Sequence, residues 1–261
     1  MVDNANNNSL RATEKPQDKR TSFGRQSVSS QEKTEKVQGV FDRSAQHYDL
    51  MNQIMSLGMH HSWKRKAVES AQIFPMDSTL DLACGTCDIT QYVLEKSPDS
   101  YVFALDPNAS MLHSGRDRLL DIGIHGAVNY VQGFAEHLPF ADASFDHVFC
   151  AFGFRNFTDQ HKGIAECARV LKPGGQVTIV EFAKPKSKVI NLAFQQYARL
   201  IPPIGGLIAS TADSYQYLIE SIESNMPHQV LAKLMHAYHL TPAEATTYFS
   251  GLVYIQRGLK C

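Results

Sequence analysis

From Val37 onward the chain alternates short apolar runs with stretches of helical length, and this alternation limits the folds open to it more than any other feature. The runs stand at 79–83, 101–106, 128–131, 145–151 and 176–182, with helical stretches at 87–96, 108–120 and 159–171 between them. Strand, helix, strand at this spacing gives right-handed βαβ units. Strands this apolar belong to a parallel sheet covered by helices on both faces. Helices are expected at 37–53 and 60–72, packed over the sheet or lidding its ligand, and again at 188–200, 212–224 and 228–239. Residues 244–257 read as a terminal strand pair or hairpin. The expectation is one α/β domain over 37–261.

Composition narrows the classes. With 43% apolar residues in 261, the chain can bury a proper core. Twenty-five basic residues against 26 acidic ones advertise no basic face, so nucleic acid is not an expected partner. No run of about 18 apolar residues occurs, which argues against a spanning helix. Five cysteines, an odd number, make no disulfide framework and suit a reducing compartment. Residues 1–36 are rich in Asn, Ser, Gln, Lys and Glu, too polar to offset their ordering entropy, and read as a mobile tail. That stretch lacks the apolar segment of a secretory signal, and Asp3, Glu14, Asp18, Glu32 and Glu35 interrupt the basic residues of a mitochondrial leader. A cytoplasmic protein is expected.

In an open parallel sheet the ligand sits at the carboxyl ends of the strands, beside the switch point. That places weight on Asp81-Leu82-Ala83-Cys84-Gly85-Thr86-Cys87-Asp88. Gly85 lets the backbone approach a ligand, and Thr86 or Asp88 can cap the next helix. The stretch does not match G-x-G-x-x-G, and a turn without a ligand is the plain alternative. The next run, 101–106, ends in Asp106, 20 residues beyond Thr86, where a carboxylate can accept both hydroxyls of a ribose. NAD and S-adenosylmethionine both carry one. The pyrophosphate of NAD wants a glycine-rich turn. S-adenosylmethionine has no phosphate, and Asp81 suits its ammonium. The loop favours the sulfonium cofactor.

Four segments then occur in order: Leu80–Thr86, Leu105-Asp106, Leu138-Pro139-Phe140 with Ser144-Phe145-Asp146, and Arg169–Gly175. With them the chain resembles the class I S-adenosylmethionine-dependent methyltransferases. A narrower match rests on Val40-Phe41, Tyr48–Asn52, Gly58, His60, Trp63-Lys64-Arg65, Phe152–Asn156, Glu181-Phe182, Lys184-Pro185, Ala212–Tyr215, Tyr217-Leu218 and Glu220–Ile222. These resemble the ubiquinone/menaquinone biosynthesis C-methyltransferase family, over nearly all of 37–260. The resemblance implies a Rossmann-like methyltransferase fold: a mostly parallel seven-stranded sheet, helices on both faces, and an antiparallel C-terminal strand. It implies methyl transfer from S-adenosyl-L-methionine to a ring carbon of a polyprenylated quinol, either a methoxy-benzoquinol or demethylmenaquinol.

On that resemblance Asp81, Gly85, Thr86, Asp106, Phe134, Ala135 and Ala151 are the cofactor residues, Arg155 and Asn156 the catalytic ones, and no metal is called for. A ring carbon becomes nucleophilic when the neighbouring phenol, which titrates near 10, loses its proton. Arg155 would be the electrostatic partner of that phenolate, and Asn156 would orient the quinol oxygen or a water. Phe152, Phe154 and Phe157 would wall the ring. A prenylated substrate allows peripheral membrane contact, a quinone-biosynthesis complex and a homodimer. Three positions depart from the family pattern: Cys87 replaces a glycine, Phe134 an asparagine and Ala151 a serine. Adenine recognition is therefore expected to differ, with Phe134 stacking or packing beside the base.

Other readings compete. Cys84-Gly85-Thr86-Cys87 has the layout of a dithiol redox site. The plainer account of Arg155 is pairing with an acid, and that of Lys172–Gly175 is a turn into the fifth strand. His47 and His60 stand where they could approach the cofactor, without an assigned role. Ile201–Ile208 reads as a loop lining a prenyl channel, a membrane-touching loop or packed core. A non-catalytic scaffold and a methyltransferase of another small molecule both remain alternatives.

Overall fold

The computed structural model describes residues 20–44, 48–124, 128–209 and 212–261, with backbone alone for residues 44, 48, 49, 200–209 and 212. The expected tail is corrected from Arg20 onward. Residues Arg20–Phe23 (β1) and Gln26–Ser29 (β2) form an antiparallel hairpin that leads directly into α1 (Ser30–Ser44). The cause is a reciprocal cap. Ser29 Oγ accepts the Glu32 N–H at 3.1 Å, and Glu32 Oε2 accepts the Ser29 N–H at 2.8 Å. The hairpin is then pinned from outside: Phe23 stacks on Tyr217 at 4.3 Å, and Arg25 pairs with Glu223 at 2.8 Å.

The expected helix over 37–53 is described on either side of residues 45–47, as α1 and α2 (Tyr48–Ser56), followed by α3 (His60–Glu69). Then come β3 (Ser78–Leu82), α4 (Asp88–Lys96), β4 (Tyr101–Asp106), α5 (Ala109–Asp121) and β5 (Val128–Gln132). The second half holds β6 (Phe145–Ala151), α6 (Gln160–Val170), β7 (Leu171–Phe182), α7 (Lys188–Ala209), α8 (Ala212–Ser224) and α9 (His228–Ala237). It ends with β8 (Leu240–Pro242), β9 (Thr246–Tyr248) and β10 (Val253–Lys260).

The main sheet has the order β5-β4-β3-β6-β7-β10-β8, with β9 also paired to β10. Strands β5 to β7 in that row are parallel, and β10 runs antiparallel between β7 and the two short strands. Seven positions are thus filled, the last shared by β8 and β9. The expected terminal hairpin is β9–β10, with Tyr248 opposite Val253. Lys172–Gly175 falls inside β7 as an irregularity, because Phe145 pairs Leu171 while His147 pairs Gln176. Ile201–Ile208 is not a loop. Those residues continue α7, whose Phe194 and Ala198 pack with Tyr215 and Leu218 of α8.

Alternate residues of each central strand feed opposite faces, as the period of two requires. Leu80, Leu82, Val148, Val177 and Ile179 meet α6 and α9 through Ile164, Leu231 and Met235. Val102 and Phe149 meet α3 and α4 through Val68, Ile89 and Val93. Each of these side chains contributes about 1.5–3 kcal/mol by leaving water. The sheet is therefore rigid where β3, β4 and β6 end, and the strand order reverses beside β3.

Candidate functional site

The turns after β3 and β6 meet at that reversal. Ala83 (φ 56°), Cys87 (φ 65°) and Phe152 (φ 60°) all adopt the left-handed region, which costs a side-chain-bearing residue about 1–2 kcal/mol. Close packing enforces it. A Cβ on Gly153 would stand 2.6 Å from Cβ of Ala83, and one on Gly115 would stand 2.5 Å from Cys87 Sγ. The backbone thus folds tightly around a cavity enclosing about 730 Å³ of space outside atoms, its open mouth included.

Asp106, Gly85, Phe134, Ala135 and Asn156 line this cavity, together with Thr34, Val37 and Phe41 of α1. Asp106 Oδ2 accepts the Gly85 N–H and Oδ1 the Asn108 N–H, both at 2.9 Å. One lone pair on each oxygen remains for a further donor. Burial raises this carboxyl to about 6 against the pull of both N–H groups. Phe134 is 40% exposed, presenting its ring to the cavity and to solvent. Among the described lining residues the charged groups are Asp106 and Glu136, both acids, which suits a cationic ligand. Glu136 Oε1 also accepts the Thr158 and Asp159 N–H groups, at 2.6 and 3.1 Å.

The other sequence-selected residues take different positions. Asp81 is buried, and its Oδ2 accepts both the N–H (3.0 Å) and the hydroxyl (2.7 Å) of Thr90. It thereby secures the first turn of α4 from the neighbouring strand, rather than lining the cavity. Neither Thr86 nor Asp88 is that helix's N-cap; the position falls to Cys87, with no side-chain bond. Thr86 is buried, with its carbonyl accepting from Arg118 Nε at 2.8 Å. Ala151, the last residue of β6, packs against the clusters around Trp63 and Val68 and does not line the cavity.

Arg155 stands in an ion pair, as its plainer account has it. Its guanidinium is buried against Glu181 at 2.7 Å and also donates to the Phe152 carbonyl and to Ser221 Oγ. Glu181 in turn accepts the backbone N–H of Arg155 at 3.0 Å. Two oppositely charged groups at the ends of adjacent parallel strands have neutralised each other, so Arg155 offers no unbalanced positive charge. Asn156 does reach the cavity. The phenolic hydroxyl of Tyr217 donates to its Oδ1 at 2.9 Å, so the amide's NH₂ is turned elsewhere.

Sequence reasoning missed a buried node beneath the β3–α4 turn. Lys64 Nζ lies 2.8 Å from Asp88 Oδ2, and Arg118 Nη2 lies 3.3 Å from Oδ1. Burial would raise Asp88, but Lys64 and then Arg118 hold it at about 2. His60 and His61 approach the same carboxylate, yet the two cations already occupy it. His60 bonds Ser56 through Nδ1 at 2.8 Å, and burial lowers it to about 3, keeping it neutral. His47 lies outside the described residues. The thiols of Cys84 and Cys87 stand 3.8 Å apart, both buried. Burial pushes Cys84 well up, opposite to what a reactive dithiol needs.

This strand order, with a cavity at the strand ends, is the fold of the S-adenosylmethionine-dependent methyltransferases. Two solved structures share the fold. They are the methyltransferase partner of the Trm112 activator from Haloferax volcanii (TM-score 0.63, 18% identity, 85% of this chain and 96% of that one) and an S-adenosylmethionine-dependent methyltransferase from Thermotoga maritima (TM-score 0.60, 17% identity, 86% and 100%). Residues 29–260 match the ubiE/COQ5 methyltransferase family, and the chain belongs to it. Curated relatives named ubiquinone/menaquinone biosynthesis C-methyltransferase include those of Shewanella piezotolerans, 43% identical over 93% of this chain and 97% of its own, and Teredinibacter turnerae, 40% identical over 92% and 97%. Among the described residues no helix is long and apolar enough to cross a membrane.

Proposed function

We propose that this chain is a C-methyltransferase of quinone biosynthesis, acting on a ring carbon of a polyprenylated benzoquinol or naphthoquinol. The observation that carries the reading is the pairing of a buried Asp106, with a free lone pair on each oxygen, and an apolar wall in one cavity. The cofactor S-adenosyl-L-methionine would supply an electrophilic methyl group on its sulfonium sulfur. Asp106 would accept the two ribose hydroxyls, and the Gly85 turn would let the backbone come close. Phe134 and Ala135 would flank the adenine. Phe152 and Phe157 give the quinol ring an apolar face.

Asn156 is the polar group we assign to the quinol oxygen. With Oδ1 occupied by Tyr217, its Nδ2 donates and holds the oxygen as it loses its proton. Arg155 acts one step back: paired with Glu181, it fixes the 3-10 turn Phe154–Asn156 that carries this amide. Labelled S-adenosylmethionine offered with a benzoquinol and a demethylmenaquinol analogue, side by side, tests the reading. Label on a ring carbon of at least one product is the expected result. No cofactor binding would leave the scaffold, and tight cofactor binding with transfer to neither would leave another small-molecule substrate.

A further inference from the structure

Strand β1 turns alternate side chains inward. Thr21 and Phe23 are half-buried, while Arg20 and Ser22 face solvent. Two polar strands of four residues each have no core of their own, so the hairpin is ordered by what it lies on. It lies on α8. Gly24 takes φ 56°, and a Cβ there would stand 2.3 Å from Glu220 Oε2. The Arg25 N–H donates to that same oxygen at 3.2 Å. This seats Phe23 flat on Tyr217, three residues before Glu220 on the same side of α8. The two rings are 4.3 Å apart and 15° from parallel.

Tyr217 is where the hairpin meets the cavity. Val37 and Val40 of α1 pack with its ring, and Phe23 and Phe41 join them. The far end of the phenol donates to Asn156 Oδ1 at 2.9 Å. Burial lifts the Tyr217 hydroxyl above its ordinary value, so it keeps its proton and stays a donor. Four residues on, Ser221 Oγ accepts from Arg155 Nε at 3.3 Å, so α8 ties to the turn Phe154–Asn156 at two places. Strand β1 also reaches the chain just beyond this turn, where Thr21 Oγ1 donates to the Thr158 carbonyl at 3.3 Å. A stacked aromatic pair has a preferred geometry, which an aliphatic neighbour does not impose. The tilt of the Tyr217 ring sets where its hydroxyl points, and with it the amide of Asn156.

We propose that Phe23 is a positioning residue: by covering the Tyr217 ring it fixes that hydroxyl, and through it the Asn156 amide that enters the cavity. Phe23 is not among the residues lining that cavity, so it acts on a ligand through Tyr217. A role in packing alone fits less well, since Phe23 is only half-buried while its ring lies nearly parallel to one partner. The kinetic consequence rests on the assignment of Asn156 to the quinol oxygen. The geometric one does not.

Nuclear magnetic resonance of the isotope-labelled full chain reads the amide directly, with the NH₂ pair missing from Asn156→Asp identifying Asn156. Phe23→Leu should move that pair in the direction that Tyr217→Phe moves it, while Phe23→Tyr should leave it in place. Leucine keeps the apolar bulk, so melting should stay close to that of the wild type. In the labelled-methyl assay Phe23→Leu should lower kcat by about two- to tenfold, with cofactor affinity unchanged. This loss should not add to that of Tyr217→Phe, and the double variant should match Tyr217→Phe within about twofold. An unmoved amide, losses of kcat that multiply, or Phe23→Tyr as impaired as Phe23→Leu would overturn the proposal. So would a loss of cofactor affinity as large as that of kcat, since Phe23 would then be a prop for the α1 wall. A displaced amide with unchanged kcat would uphold the coupling and strike the assignment of Asn156 to the quinol oxygen. If the chain methylates neither quinol analogue, the amide resonance decides alone.

Discussion

Replacing Asp106 by Asn probes the cofactor site at its most constrained side chain. Both carboxylate oxygens accept backbone N–H groups at 2.9 Å, from Gly85 and Asn108. An amide offers only one oxygen, so one of those buried N–H groups would face an NH₂ instead. An unmet buried donor costs about 1–3 kcal/mol, which falls on stability. The ribose loses one charge-assisted bond of about 1.5–3 kcal/mol, which falls on binding. The dissociation constant for S-adenosylmethionine should rise by roughly ten- to 150-fold.

Calorimetric titration at about pH 7.5, beside a thermal melt, separates the two effects. A pH series adds an independent reading. Burial raises Asp106 to about 6, and the ribose hydroxyls donate to its ionised form. Affinity in the wild type should therefore fall as pH drops through 6, by up to about tenfold per unit. Burial likewise raises Asp81 to about 6, so any pH dependence left in Asp106→Asn belongs to Asp81 and the rest of the loop. Affinity within twofold of wild type at about pH 7.5 and superimposable pH curves would together refute the ribose assignment.

Further outcomes follow from the same geometry. Arg155→Met leaves Glu181 buried without its cation and should destabilise the protein by about 3–5 kcal/mol in denaturant titrations, whereas Arg155→Met with Glu181→Gln should recover most of that loss. Tyr217→Phe removes the bond that orients Asn156 and should lower kcat about two- to tenfold in a labelled-methyl assay, with cofactor affinity unchanged. Gly115→Ala puts a Cβ 2.5 Å from Cys87 Sγ and 3.1 Å from the Gly85 carbonyl, so cofactor affinity and melting temperature should both fall, at about 1–3 kcal/mol of strain. Adding Cys87→Gly should restore part of both, since it removes the clashing sulfur and suits φ 65° while the 3.1 Å contact with the Gly85 carbonyl remains.

The strands and the cavity-lining turn were legible because burial on both faces leaves a nearly unbroken apolar run, and because Asp106 ends such a run beside Gly85. The hairpin at 20–29 was not, since Arg-Thr-Ser-Phe and Gln-Ser-Val-Ser are polar and gain their order from Tyr217 and Glu223, far along the chain. One local signal was available: Ser29 followed three residues later by Glu32 is a helix start. Arg155 misled because its chemistry is read correctly as cationic while its partner, Glu181, is brought near only by pairing β6 with β7. Asp81 misled similarly. Its carboxylate looked free at a strand end, but Oδ2 is held by Thr90, nine residues on.

The wall that α1 gives the cavity is fastened differently from the walls given by β3 and β4. Lys33 Nζ reaches the Phe157 carbonyl at 2.6 Å, Thr34 bonds Thr158 at 2.9 Å, and Asn108 Nδ2 donates to Asp42 at 2.6 Å. Water can replace each such contact at a net cost of about 0.5–1.5 kcal/mol for a neutral pair, somewhat more for the charged ones. The opposite wall is strand, and moving it would open the core. Ligand traffic therefore has an inexpensive direction, through the side that α1 covers. Opening on that side must also part Val37 and Val40 from Tyr217, and amide hydrogen exchange along α1 should slow when the cavity is filled.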